Sequence, residues 1–151
     1  MAVLEPYRCT VQPDWIDYNR HLSEAYYVLA FGFATDQVMD ALGLDAAYRA
    51  ESGCSLYTVE AHVRYLAETG EGTALTISTA VVGSGPKKLH LAHEMRSGDT
   101  LIATEELLAL HVDSGTGRTL PFTDAVGTTI ADHQLADDAP PPDWLGRAIS
   151  L

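Results

Sequence analysis

The 151-residue sequence predicts an α+β domain in which a curled antiparallel sheet wraps one long central helix. Three observations carry that expectation. The stretch from Leu22 to Leu42 is apolar at helical spacing and on nearly every side. Strand-like segments punctuated by turn residues then fill the chain as far as Val112. The length suits one domain with one core, and a hydrophobic content of 46% is ordinary for a globular chain.

The elements follow in order. "YRCTVQ" reads as a short opening strand and "PDWIDYNRH" as a loop. In the helix, Leu22, Ala25, Tyr26, Leu29 and Phe33, then Val38, Met39 and Leu42, recur at helical spacing, and Gly43 is placed to cap its C-terminus. The opposite side carries Tyr27, Val28, Ala30 and Phe31, the pattern of a helix buried all round. From Leu56 to Leu66 the chain alternates, with Tyr57, Val59, Ala61, Val63 and Tyr65 facing one way and Thr58, Glu60, His62 and Arg64 the other. Thr73 to Val82 is a second such strand, ended by the turn "GSGP"; Lys87 to Arg96 and Thr100 to Val112 are two more, joined at "SGD". An antiparallel sheet needs one face covered, and the helix is the available cover. Residues 1–136 thus form the domain, while residues 137–151, with the acidic and Pro-rich end of "LADDAPPPD", read as an unpacked linker and a short tail.

Charge excludes several partners. Nine Lys and Arg against 21 Asp and Glu give a formal net charge of -12, which repels nucleic acid and anionic lipid. No segment has the length and apolarity of a membrane span, and "MAVLEPYRCT" lacks the pattern of a secretory signal, so a cytoplasmic location is expected. Cys9 and Cys54 form no CxxC pair and read as reduced structural thiols. "GSGPKK" has neither P-loop nor dinucleotide-binding spacing and makes a turn.

The segments "DYNRHLSEAYY", "HVRYLAETGEGTALTISTAVVGSGPKKLHLAHEM" and "LIATEELLALHVDSGTGRTLPF" resemble the hot-dog-fold acyl-CoA thioesterases of the 4-hydroxybenzoyl-CoA thioesterase type, over residues 7 to 123. "DWIDYN" followed by "EAYYVLAF" is similar, more narrowly, to the betainyl-CoA thioesterases of bacterial carnitine breakdown. In that family an Asp precedes a Gly-His-hydrophobic-Asn run at the entrance of the central helix. Asp17, His21 and Leu22 match it; Arg20 stands at the Gly position and Ser23 at the Asn position. The resemblance implies a hot-dog fold, a metal-independent thioesterase without cofactor, and a homodimer or homotetramer paired through the Leu56 to Leu66 strand.

Thioester hydrolysis needs an activated water or a nucleophile, together with donors for the oxyanion. A helix N-terminus supplies free backbone N–H groups and partial positive charge, so the turn from His21 to Glu24 is a place for the thioester oxygen. Asp17 then serves either as general base on water or as nucleophile forming a mixed anhydride. His21 orients substrate or carboxylate, and Asn19 donates a hydrogen bond. Taken without the family, Asp, Asn and Ser before a helix are ordinary capping residues, with Asp14 a turn residue and Glu24 a first-turn acid. Glu24 and Glu60 are reserve carboxylates. His90 and His93, three apart on a strand, fall on opposite faces and make no metal pair, and His93 shares its face with Leu89, Leu91 and Met95 as a core histidine.

The phosphates of CoA need local cations in so acidic a chain, and the adjacent pair Lys87 and Lys88 is the choice, with Arg118 second. Trp15, Tyr18, Tyr26 and Tyr27 gather at the helix start, where Trp15 and Tyr26 are candidates to hold a trimethylammonium acyl group on aromatic faces. Two rival readings stand beside the thioesterase: a hot-dog enoyl-CoA hydratase or dehydratase, and a non-catalytic acyl-CoA-binding module.

Overall fold

The computed structural model describes residues 2–151. Five strands form one antiparallel sheet in the order β1-β3-β4-β5-β2, where β1 is Tyr7–Thr10, β2 Cys54–Tyr65, β3 Ala74–Gly85, β4 Lys88–Ser97 and β5 Thr100–Asp113. The central helix α1, Glu24–Ala41, lies across the concave face. Its N-terminal half packs Tyr27, Ala30, Phe31 and Ala34 with Leu75, Ile77, Met95 and Ile102, and its C-terminal half packs Val38, Met39 and Leu42 with Leu89, Leu91 and Leu107. The helix ends as the sequence predicts. Gly43 takes φ 86, its N–H donates to Asp40 O, and Leu44 N–H reaches Met39 O at 2.8 Å, a Schellman closure that needs glycine's freedom at positive φ.

Three expectations require correction. The helix is not buried all round: Val28 is 43% exposed, and Leu29 and Phe33 are 38% exposed, because one sheet covers only one side of it. The alternation of β2 does not run unbroken. A bulge between Thr58 and Glu60 inserts Val59 against β5 and reverses the phase, so Tyr57 points outward and Leu56, Ala61 and Val63 share the core-facing register. Val59, being apolar, continues the stripe in sequence and conceals the insertion. Residues 137–151 lack regular structure, yet they are anchored: Trp144 Nε1 donates to Glu94 Oε1 at 2.9 Å and Gly146 N to Glu106 Oε2 at 2.7 Å, fastening the tail to the outer face of the sheet.

Two helices have no counterpart in the sequence reading. Helix α2, Ala46–Ser52, starts where the Asp45 side chain accepts from Tyr48 N–H, and Gly53 at φ 71 ends it. Helix α3, Asp124–His133, is capped by Thr123 and buries Val126 and Ile130; Leu135 N–H then donates to Val81 O and extends the edge of β3. Each is short and offers few apolar positions from which to read a period, but the caps are ordinary sequence signals. Strand β2 is the long unpaired edge of the sheet, and Tyr57, Val59, Tyr65 and Leu66 on or beside it are exposed.

Candidate active site

The loop entering α1 is a tight reversal closed by backbone bonds. Ile16 and Leu22 form an antiparallel bridge, Asp17 N–H donates to His21 O at 2.9 Å, and Arg20 N–H donates to Asp17 O at 3.0 Å. Leu22 N–H to Thr69 O and Ser23 N–H to Trp15 O tie the loop to the rest of the fold. The reversal requires a left-handed residue, and Arg20 supplies it at φ 65, the one non-glycine residue at positive φ among those described. The arginine therefore adopts a left-handed conformation that glycine would take without cost, at a strain of about 1 kcal/mol.

That shape fixes the carboxylate. Asp17 Oδ1 accepts from Asn19 N–H at 2.8 Å and from His21 N–H at 3.4 Å, leaving Oδ2 without a partner among the described residues. The group is half-buried, so it keeps contact with solvent while its orientation is held. Ser23 occupies the N-cap position with no side-chain cap bond, Tyr26 N–H folds back to Ser23 O, and the N–H groups of Glu24 and Ala25 have no acceptor in the described structure. Two free donors at a helix N-terminus thus stand a few residues from a free carboxylate oxygen, which is the equipment for stabilising an oxyanion and activating water.

The other predicted residues distribute unevenly. His21 is close by, half-exposed, with Nε2 3.3 Å from Glu68 Oε2. Asn19 is on the loop and exposed; its backbone, not its side chain, contacts Asp17. Trp15 is buried and stacks on Tyr26 at 5.9 Å, so these two rings spend faces on each other, and Tyr18 is 95% exposed. Tyr27 is buried, its hydroxyl donating to Ala67 O, and it meets Tyr65 edge to face at 5.1 Å. Burial raises the Tyr27 hydroxyl above its ordinary value, with Glu68, Tyr65 and Asp17 adding to the effect.

Lys87 and Lys88 are not beside Asp17 within one protomer. They lie in the β3–β4 turn, whereas the Asp17 loop packs where β3 begins, and the 12 residues of β3 separate the two ends. At about 3.3 Å per residue that is roughly 35–40 Å along the strand. Lys88 lines a cleft of about 600 Å³ on the outer face of the sheet together with Glu60, His62, His90, Glu106 and Arg147. Arg147 lies in the tail, where an acidic and Pro-rich composition predicts an unpacked segment and so gives no sign of a packed cation. His90 Nε2 bonds Glu106 Oε1 at 2.9 Å in this cleft, and no group of three or more metal-ligating side chains is assembled among the described residues.

A second polar layer lies under the helix. His93 is fully buried, with Thr79 Oγ1 2.8 Å from Nδ1 and Thr35 Oγ1 2.9 Å from Nε2, and Phe31 stacks on its ring at 5.8 Å. Burial lowers its pKa to about 4, so it is neutral, the satisfied core histidine that its face-sharing with leucines predicts. Glu105, absent from the sequence candidates, is 5% exposed, and burial raises its pKa to about 7. The adjacent pair Glu105 and Glu106 held the signal, since two neighbours on a strand must take opposite faces and one had to point inward.

A five-stranded sheet curled around one helix, with a carboxylate held at the helix entrance, is the hot-dog architecture. The chain belongs to the thioesterase-like superfamily, whose family model matches residues 11–149. It is 39% identical to a betainyl-CoA thioesterase of Pseudomonas aeruginosa, over 99% of this chain and 96% of that protein. A similar identity of 39% holds for an L-carnitine dehydrogenase/betainyl-CoA thioesterase of Agrobacterium fabrum, covering 92% of this chain but 29% of that longer protein. Among solved structures, one from Pseudomonas putida, provisionally described as a thioesterase, superposes with a TM-score of 0.85 at 38% identity over 100% of this chain and 98% of that one. A Staphylococcus aureus protein solved in complex with CoA gives a TM-score of 0.89 at 26% identity, covering 100% and 98%.

Proposed function

We propose that this protein hydrolyses a small acyl-CoA to the free acid and CoA, with betainyl-CoA as its substrate and the cytoplasm as its place of action. The observation that carries the reading is the Asp17 carboxylate, held through Oδ1 by two backbone N–H groups beside the unpaired N–H groups of Glu24 and Ala25. The thioester oxygen lies against those donors as negative charge develops on it. Asp17 Oδ2 either takes a proton from the water that attacks the carbonyl carbon, or attacks that carbon itself to give a mixed anhydride that water then opens. In both routes the C–S bond breaks and CoA leaves as thiolate. His21, held toward Glu68, orients the substrate at the mouth.

The working unit is a homodimer, or a tetramer of such dimers, joined at β2. An unpaired edge of 12 residues flanked by exposed Tyr57, Val59 and Tyr65 is a surface that proteins rarely leave open, and the exposed Val28 of α1 adds apolar area. Antiparallel pairing of two β2 edges carries the Asp17 end of one protomer to the Lys87–Lys88 end of its partner. The cations of one chain, Lys87, Lys88 and Arg147, thereby serve the CoA phosphates of an ester cleaved by the other. The hydratase and non-catalytic readings gain no support from the named relatives.

Release of free thiol from betainyl-, acetyl-, butyryl-, benzoyl- and crotonyl-CoA tests the reading. Betainyl-CoA is expected to give the highest kcat/KM, with no hydration of the crotonyl double bond. Equal rates across the panel contradict the substrate assignment, and absence of thiol release from every ester contradicts the activity.

A further inference from the structure

The layer of His93 and Glu105 takes no part in the hydrolysis proposed above, and Glu105 is its unexplained member. It projects from β5 toward the concave face, in register with Val63 of β2 on one side and His93 of β4 on the other. No donor among the described residues hydrogen-bonds its carboxyl group. The nearest basic atom is His93 Nε2 at 4.0 Å, and that nitrogen is already engaged by the Thr35 hydroxyl. His93 is kept neutral by burial, so it offers no positive charge. Buried carboxyl groups are ordinarily paired or hydrogen-bonded. Glu105 has neither, and the chain provides no cation to face it.

Its neighbours describe what the missing partner is. Tyr65, 46% exposed, lies two residues beyond Val63 and so diagonal to Glu105 on the same face of the sheet, and its ring packs T-shaped with Tyr27 at 5.1 Å. The Tyr65 hydroxyl is raised by burial, then by the charges of Glu24 and Glu105, while Tyr27 feels Glu68 and Asp17. The Tyr65 hydroxyl also reaches Glu24 O at 3.5 Å, so the pair of rings runs from the start of α1 to the strand position diagonal to Glu105. A quaternary ammonium has no N–H to donate; it is held by aromatic surface and net negative charge. A carboxyl left without hydrogen-bond donors suits that ligand.

We infer that Glu105 is the counter-ion for a cationic acyl group, holding the quaternary ammonium of a trimethylammonio-acyl thioester against Tyr65. This rests on the reading that acyl-CoA esters are cleaved at Asp17. In a betainyl thioester one methylene separates the ammonium from the carbonyl, so its counter-ion belongs on the wall beneath the helix and not at the distant lysine end. Glu105 thereby determines which acyl group is accepted and leaves the bond-breaking to the entrance loop.

The test uses a charge isostere. Betainyl-CoA and 3,3-dimethylbutyryl-CoA differ only in nitrogen against carbon, hence in one positive charge at constant shape. The wild type is expected to favour the charged ester, and Glu105→Gln, which keeps the shape of the side chain, is expected to lower the ratio of the two kcat/KM values roughly tenfold or more. A ratio unchanged by the substitution overturns the inference. A wild type that cleaves both esters equally overturns it together with the betainyl assignment, while leaving hydrolysis at Asp17 standing.

Should Glu105→Gln fail to fold, the wild-type ratio followed from about pH 5 to about pH 9 decides. Common effects on Asp17 and His21 cancel between the two esters. The groups facing Glu105 are His93 from β4, Tyr65 from β2 and, beyond Tyr65, Glu24 from α1. A ratio that rises as Glu105 ionises near its raised pKa of about 7 supports the assignment, and a flat ratio overturns it.

Discussion

The entrance loop and the His93–Glu105 layer place polar groups against the same helix by opposite means. In the loop, Asp17 is oriented by its own backbone, half in solvent, and one carboxylate oxygen is left free. Under the helix, His93 is sealed from water and both ring nitrogens are engaged by threonine hydroxyls. The first arrangement keeps a reactive group available at small cost to the fold. The second cannot react, and its removal strikes the core. Substitutions in the loop should therefore change rate with little change in stability, and substitution of the sealed His93 the reverse.

The largest stability effect is expected at His93. His93→Leu leaves the hydroxyls of Thr35 and Thr79 without their buried partner, at about 2–3 kcal/mol, which a thermal melt reads as a fall of roughly 5–10 °C. The pH profile sharpens this. The folded-state pKa of about 4 lies below the ordinary 6.5, so the unfolded chain binds the proton more readily between those values, and wild-type stability falls as pH drops through that window. His93→Leu lacks that acid-side loss, so its deficit against wild type narrows toward pH 4. A deficit independent of pH would mean that His93 is not held neutral.

Next comes Glu105. Its folded-state pKa is raised from 4.5 to about 7, so the folded state binds the proton more tightly and the native structure loses stability as pH rises through that window. Glu105→Gln removes the ionisation and is expected to melt above wild type at pH 8 by about 1–2 kcal/mol, with the gap closing near pH 5. A gap that is constant across pH would show that the carboxyl is not the source.

The smallest effect belongs to the loop. Arg20→Gly relieves the left-handed strain at φ 65, offset in part by glycine's greater unfolded-state freedom, for a net gain of about 0.5 kcal/mol. Arg20→Val, branched at Cβ, is expected to lose about 1 kcal/mol or more at the same position. Differential melting of the two variants checks the backbone reading without touching the carboxylate.

The loop was more legible in sequence than the layer, for physical reasons. A helix with apolar residues on all sides, bounded by Gly43 and preceded by a polar crowd, announces itself locally, and the resemblance assigned Asp17 within it. Arg20 at a glycine position reads as a departure because φ is not written in a sequence; the structure shows that the arginine itself takes the left-handed conformation open to glycine. Long strands were readable from alternation, but the bulge at Val59 was hidden by an apolar residue that keeps the pattern in phase. Glu105 was missed because burial of a charge depends on strand register and the covering helix, although the Glu-Glu pair required one of them to face inward. Lys87 and Lys88 are the one adjacent cation pair in the sequence, yet adjacency says nothing about which end of a sheet they occupy.

The most direct measurement is the hydrolysis of betainyl-CoA by Asp17→Asn beside a thermal melt of the same variant. Loss of turnover by roughly a hundredfold to ten-thousandfold with the melting temperature almost unmoved is the predicted result. Unchanged thioester cleavage by a folded Asp17→Asn protein would contradict the assignment of the chemistry to the entrance loop.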